Sequence, residues 1–162
     1  MKISDCMKRN VVSIQQGAAV SQVVDLVIEN LIGTVPVVDS QGKLVGVVKL
    51  RDILSLVMPD FVRLIDNFDF VHDFGAVNSR QPTLKDLNEP VNAIMQEPIY
   101  AEADCSLLRA AALLNQHGLK DLPVVDSQGK LIGIASHVDI GVALMKKWNL
   151  AARSSGEQSL GK

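Results

Sequence analysis

The chain is short of aromatic residues, of cysteine and of net charge. Aromatics make up 4% of its 162 residues, as one Trp, one Tyr and four Phe. Any core must therefore be built from aliphatic side chains. A composition that is 48% hydrophobic and 21% charged belongs to a folded chain rather than a disordered one. The formal net charge of −2 offers no basic footprint, which argues against nucleic acid or an anionic membrane as a partner. Cys6 and Cys105 stand alone with no CxxC spacing, so a disulfide framework is excluded and a reducing, cytoplasmic setting is expected. No run approaches the roughly 20 apolar residues of a membrane span, and Met1-Lys2-Ile3-Ser4-Asp5 lacks the order of a signal peptide. A soluble protein is expected. His72, His117 and His137 are scattered without partners at ligand spacing, so no metal is expected. No P-loop, nucleophile elbow or paired catalytic signature occurs, and the chain does not read as an enzyme.

What the chain has is an internal repeat. Pro36 to Gly46, Pro-Val-Val-Asp-Ser-Gln-Gly-Lys-Leu-Val-Gly, returns 87 residues later at Pro123 to Gly133 with one change, Val45 to Ile132. The same offset carries Asp52 onto Asp139 and Ile53 onto Ile140. Two copies of one unit are therefore expected. In each, a β-branched run predicts a brief strand, Val11–Ile14 in the first copy. A helix follows on a 3.6-residue apolar period, at Val20, Val23, Val24, Val27, Ile28 and Leu31, then at Leu107, Ala110, Ala111 and Leu114. Asp104 is the expected N-cap of the second of these. Asp-Ser-Gln-Gly supplies turn chemistry between two strands. Pro36, having no N–H, is expected at a sheet edge or where its donor side faces no partner. Asp52 and Asp139 are expected to open the closing helices, the second ending near Trp148, which would pack that helix onto the body.

The expected organisation is a first repeat over 1–58, an insertion and linker over 59–90, a second repeat over 91–150 and a frayed tail over 151–162. The insertion holds all four phenylalanines, Phe61, Phe68, Phe70 and Phe74, which either cap the core or meet a second copy in a homodimer. From Asn78 to Pro90 the chain reads as a connecting loop. Asp66, Asp69 and Asp73 read as a solvated face.

The hydrophobic-Pro-Val-Val-Asp block, the apolar-Gly-apolar strand after it, and the aspartate beyond resemble the CBS domain family, named from cystathionine beta-synthase. Two copies in register resemble a tandem CBS pair, the Bateman module. The resemblance covers about residues 3 to 148. It implies an α+β fold, two βαββα units packed sheet to sheet with pseudo-twofold symmetry. It also implies a regulatory module that holds an adenosine-containing ligand (AMP, ADP, ATP or S-adenosylmethionine) in an inter-repeat cleft and signals to an effector protein in trans, with no required cofactor. A ligand-free dimerising scaffold is the other reading.

Ser136-His137-Val138-Asp139 matches the family's Ser/Thr-x-x-Asp signature. The resemblance implies that Asp139 takes the ribose hydroxyls and Ser136 the phosphate, while Ile99, Tyr100 and Leu122 flank the adenine and the Lys120 and Asp121 backbone reads its edge. Asp139 as a helix cap and Ser136 as a strand-end hydroxyl are the simpler roles, and capping uses only one carboxylate oxygen. In the first copy Lys49 stands where Ser or Thr is usual, with Asp52, Val12, Thr34 and Val35 as the other wall residues. Lys49 either strengthens phosphate binding or fills the site. Arg51 and His137 are further phosphate candidates or surface residues.

Overall fold

The computed structural model describes residues 1–58 and 81–157. The Phe-rich stretch with Phe61, Phe68, Phe70 and Phe74 lies outside the described residues, as do Asp66, Asp69, His72 and Asp73. The first copy runs β1 (Ile14–Gln15), α1 (Val20–Asn30), β2 (Thr34–Val38), β3 (Leu44–Lys49) and α2 (Leu50–Leu54). After α3 (Leu84–Asn88) the second runs β4 (Ala101–Glu102), α4 (Leu107–Gln116), β5 (Asp121–Val125), β6 (Leu131–Ser136) and α5 (His137–Glu157). Each copy is thus βαββα, with a three-stranded sheet in the order β1-β2-β3 or β4-β5-β6. The outer pair β1·β2, like β4·β5, is parallel because a helix separates the strands, whereas β5·β6 is an antiparallel hairpin.

The central strands are buried from end to end in the first copy and nearly so in the second. Pro36 and Pro123 therefore stand in central strands, not at an edge. The parallel neighbour is two residues long and pairs from Val37 and Val124 onward, one residue past each proline. At the proline's own level that side has no strand to bond, so the missing N–H is tolerated.

The chain forms two compact units that exchange short segments. One comprises Met1–Val11, Gln41–Leu44 and Pro98–Lys162; the other comprises Val12–Ser40 and Val45–Glu97. In the first of these, the 3₁₀ turn Ile3–Asp5 inserts Ile3, fully buried, among Leu107, Leu114, Leu122 and Ile140. In the other, the turn Val91–Ala93 inserts Val91, also fully buried, among Val23, Val35, Val37 and Val48. The backbone bonds repeat faithfully. Ile3 N donates to Cys105 O at 2.8 Å, and Val91 N to Ala18 O at 2.7 Å. Lys8 and Ile134 exchange two N–H···O bonds at 2.8 and 2.9 Å, and Gln96 and Val47 exchange two at 2.9 and 3.0 Å.

Several local expectations change. Ser106, not Asp104, caps α4, accepting from Arg109 N at 3.3 Å. Residues 84–88, expected as loop, form α3, started by a Thr83–Asp86 capping box in which Thr83 N donates to Asp86 Oδ2 at 2.8 Å. Ile28, within α1, is exposed rather than facing the core, and so is Leu31, which lies past the helix end at Asn30 and turns left-handed at φ 51°. The equivalent position in the second copy is Gly118, at φ 58°. α5 runs on to Glu157, past the expected end at Trp148, and the Trp148 side chain is 65% exposed rather than packed inward.

Candidate functional site

The signature residues sit where the second strand of each hairpin turns into a helix. Ser136 ends β6 and α5 begins at His137. Asp139 is thus the third residue of the helix, not its opener, and the two side chains satisfy each other's backbone. Asp139 N donates to Ser136 Oγ at 3.1 Å, and Ser136 N donates to Asp139 Oδ2 at 2.9 Å. The Ser136 hydroxyl also donates to Oδ2, at 2.7 Å. This is a capping box, which the Ser-x-x-Asp spacing produces whenever a helix starts at that serine.

A further partner arrives from the exchanged N-terminal segment: Lys8 Nζ lies 3.6 Å from the same Oδ2. Among the described residues every hydrogen bond and ion pair of the Asp139 carboxylate falls on Oδ2. Partial burial pushes the Asp139 carboxyl up, but the two Ser136 bonds and the Lys8 charge outweigh it and hold it below its ordinary value. The neighbouring Cys6 thiol responds the other way. Burial raises it first, and the Asp139 and Asp5 charges add to the rise.

The start of β5 completes this end of the second copy. Asp121 pairs with Ser136 across the hairpin, and His137 N donates to Lys120 O at 3.0 Å. His137 Nε2 lies 3.1 Å from Asn115 Oδ1 on an exposed face. Lys120, Asp121, Ser136, His137 and Asp139 are therefore brought together. Leu122 is fully buried in the core, and Ile99 packs against that core. Tyr100, half exposed, borders a separate hollow of about 320 Å³ with Glu102, Asp104 and Arg109.

The first copy keeps the backbone and changes the side chains. Leu50 N donates to Gly33 O at 2.9 Å, as His137 does to Lys120. Lys49 N donates to Asp52 Oδ2 at 2.8 Å, so Asp52 is likewise the third helical residue and not the opener. Lysine carries no acceptor, so the reciprocal half of the box is missing. Burial of Lys49, with the nearby Arg51 charge, lowers its ammonium below the ordinary value, and Asp52 offsets part of that. Arg51 Nε stands 3.9 Å from Asp52 Oδ1. Beside them a hollow of about 700 Å³ is lined by Arg51, Asp52, Ser55, Ile94 and Gln96 among others. That is within the range of small-molecule sites. Thr34 and Val35 are buried at the start of β2, and Val12 is half buried.

The 87-residue repeat does not extend to the exchanged segments, nor to their Met7, Lys8, Met95 and Gln96. A weaker signal marks them: Ile3-x-x-x-Met7-Lys8 recurs as Val91-x-x-x-Met95-Gln96 at an offset of 88. With only Met identical, this match is visible once the bonding partners are known.

Among the described residues no helix is long and apolar enough to cross a membrane, and no group of three or more His, Cys, Asp or Glu is placed to hold a metal. An uncharacterized protein of Methanocaldococcus jannaschii is 29% identical, over 90% of this chain and 92% of its own length. The chloroplastic CBS domain-containing protein CBSX1 of Arabidopsis thaliana is 31% identical over 75% of this chain and 53% of its own. Other curated relatives are longer, and the chain spans 43% of one and 31% of another. The structure of CBSX2 of Arabidopsis thaliana in complex with AMP superposes with a TM-score of 0.68 at 26% identity, covering 90% of this chain and 96% of that one. The CBS domain model matches residues 3–59 and 91–146. This chain, with two such domains in tandem, belongs to the CBS domain family.

Proposed function

We propose that the protein is a regulatory module which senses an adenosine-containing ligand at its signature aspartates and reports occupancy to an effector protein. The observation that carries this reading is the division of labour at Asp139. Helix capping and the Lys8 ion pair use Oδ2, so Oδ1 remains to accept from a ligand's hydroxyls. A carboxylate held ionised is a strong acceptor for a ribose diol. The AMP bound by CBSX2, a relative of similar length, supports the same ligand class here. A cytoplasmic setting belongs to the same reading, in keeping with two unpaired cysteines.

The mechanism is a population shift: a ligand that binds one arrangement of the module better than another biases the surface presented to the effector. Isothermal titration of the wild type and of Asp139→Ala with AMP, ATP and S-adenosylmethionine tests it. Heat with at least one ligand, weakened by the substitution, is expected. No heat with any of them removes the sensing function.

A second reading, a dimerising scaffold, is favoured by the apolar face of α5, where Val138, Val142, Met145 and Trp148 are exposed at helical spacing. Sedimentation of the wild type and of Phe61→Ser/Phe68→Ser tests whether the Phe-rich stretch takes part in a homodimer. A dimer unchanged by the substitutions removes that stretch from the interface.

A further inference from the structure

The second copy holds a hollow whose described lining includes neither Ser136 nor Asp139. It measures about 320 Å³ beside β4 and α4, and Tyr100, Glu102, Asp104 and Arg109 border it with the apolar Ala101 and Leu113. Local geometry sets which side chains face it. Side chains alternate around β4, so Ala101 turns into the core while Tyr100 and Glu102 stay exposed on the other face. On α4 the residues Leu107, Ala110 and Leu114 take the core, and Arg109 and Leu113, four positions apart, share a flank. The hollow stands away from the signature. Glu102 pairs with Val125 at one end of β5, whereas Ser136 pairs with Asp121 at the other. Along a strand those two levels lie about 13 Å apart.

Carried back by 87 residues, the four polar positions read Ser13, Gln15, Gly17 and Gln22 in the first copy, all uncharged. The buried Ala101 replaces the larger Ile14. The second copy has thus gathered a cation, two carboxylates and a phenol over a smaller floor residue. These charges do not satisfy one another. Among the described residues Arg109 forms no ion pair with Glu102 or Asp104, and none of the four side chains makes a hydrogen bond. All three charges nevertheless reach the half-buried Cys105 thiol on the same hollow. Burial raises that thiol first, Arg109 opposes the rise, and Asp104 and Glu102 add to it.

We propose that this hollow binds a basic α-amino acid, its carboxylate on Arg109, its two cationic groups on Glu102 and Asp104, and its stem along Tyr100 and Leu113. Charge fixes the class: two carboxylates and one guanidinium complement two cationic groups and one carboxylate. The volume lies at the small end of ligand sites, which suits a free amino acid better than a nucleotide. The proposal does not depend on the adenosine reading.

The test is isothermal titration of the full chain with L-lysine, L-arginine, L-leucine, L-glutamate and cadaverine, for the wild type, Arg109→Gln and Glu102→Gln. Each substitution installs the glutamine that the first copy carries at the same place, and both positions are exposed, so folding is retained. Circular dichroism checks it. The wild type should bind lysine or arginine more tightly than leucine or cadaverine, and glutamate least. Losing one charged contact is worth about tenfold, so Arg109→Gln should lose about that factor for lysine. Cadaverine has no carboxylate and should bind that variant unchanged, whereas Glu102→Gln should weaken both. Lysine should also slow alkylation of Cys105 and leave Cys6 unaffected, read by mass spectrometry, and saturating AMP should not displace it. The proposal is overturned if neither basic amino acid binds, if Arg109→Gln weakens cadaverine as much as lysine, or if AMP displaces lysine.

Discussion

The side chain of Met7 occupies the space in which a side chain at Gly133 would begin. A Cβ there would meet the Met7 thioether, lie 2.9 Å from Met7 Cγ and lie 3.1 Å from the Lys8 carbonyl oxygen. Met95 stands in the same relation to Gly46, at 3.0 Å from its Cγ. The glycine of the apolar-Gly-apolar strand is thus the seat of an exchanged segment, not a turn residue. Gly133→Ala should destabilise by about 1–3 kcal/mol through overpacking. Gly46→Ala should cost less, because its close neighbours are all atoms of one flexible methionine side chain, while at Gly133 a backbone oxygen also stands in the way. Urea midpoints of the two variants against wild type decide the order.

Leu31 invites the opposite change. It ends α1 in the left-handed region at φ 51° with 92% of its surface exposed, where the sister copy has Gly118. Leu31→Gly removes a Cβ strain and forfeits almost no burial. It should raise stability by about 0.5–1 kcal/mol, visible as a higher melting temperature. Gly118→Leu should lower it.

The capping box predicts an asymmetry between the copies. Ser136→Ala removes the acceptor for Asp139 N and one donor to Oδ2, and should cost about 1 kcal/mol. Lys49→Ala removes neither kind of bond, because Lys49 caps only through its backbone N–H. Chemical denaturation of the two variants measures the difference.

Asp139 gives the stability a pH dependence of known sign. Its carboxyl titrates below the ordinary 3.8 because Ser136 and Lys8 favour the ionised form over the opposing effect of burial. The unfolded chain therefore binds the proton first on acidification. The contribution is complete above about pH 5 and is lost as pH falls through and below 3.8. Asp139→Asn should flatten this part of the profile, while Lys8→Gln should shrink it without abolishing it. Urea midpoints between pH 3 and pH 7 read the effect.

The exchanged segments should answer to truncation. Ile3→Ala and Val91→Ala each empty a fully buried position and should cost about 2–4 kcal/mol. Hydrogen exchange should locate the first loss in β5 and β6 and the second in β2 and β3, since Ile3 packs with Leu122 and Val124 and Val91 with Val35 and Val48. Val91→Ala loosening the second copy instead would contradict the exchange.

Much of this protein was determined by its sequence alone, because the information is local. The near-identical block from Pro36 to Gly46 and from Pro123 to Gly133 specifies a strand, a turn and a strand wherever it occurs. The helical period at Val20 and Val23, or at Leu107, Ala110 and Leu114, specifies which face is buried. The Ser136-x-x-Asp139 spacing brings two side chains together through one turn of backbone. Tertiary structure alone decided what is joined across long separations. That Pro36 stands in a central strand depends on how short β1 is, and that Ser136 rather than Asp139 caps α5 depends on where the helix starts. Lys8 reaches a carboxylate 131 positions away because Ile3 and Met7 bury their side chains in the second copy's core. No local pattern carries that pairing. It follows from the burial of two apolar side chains, which draws the polar residue beside them into the site.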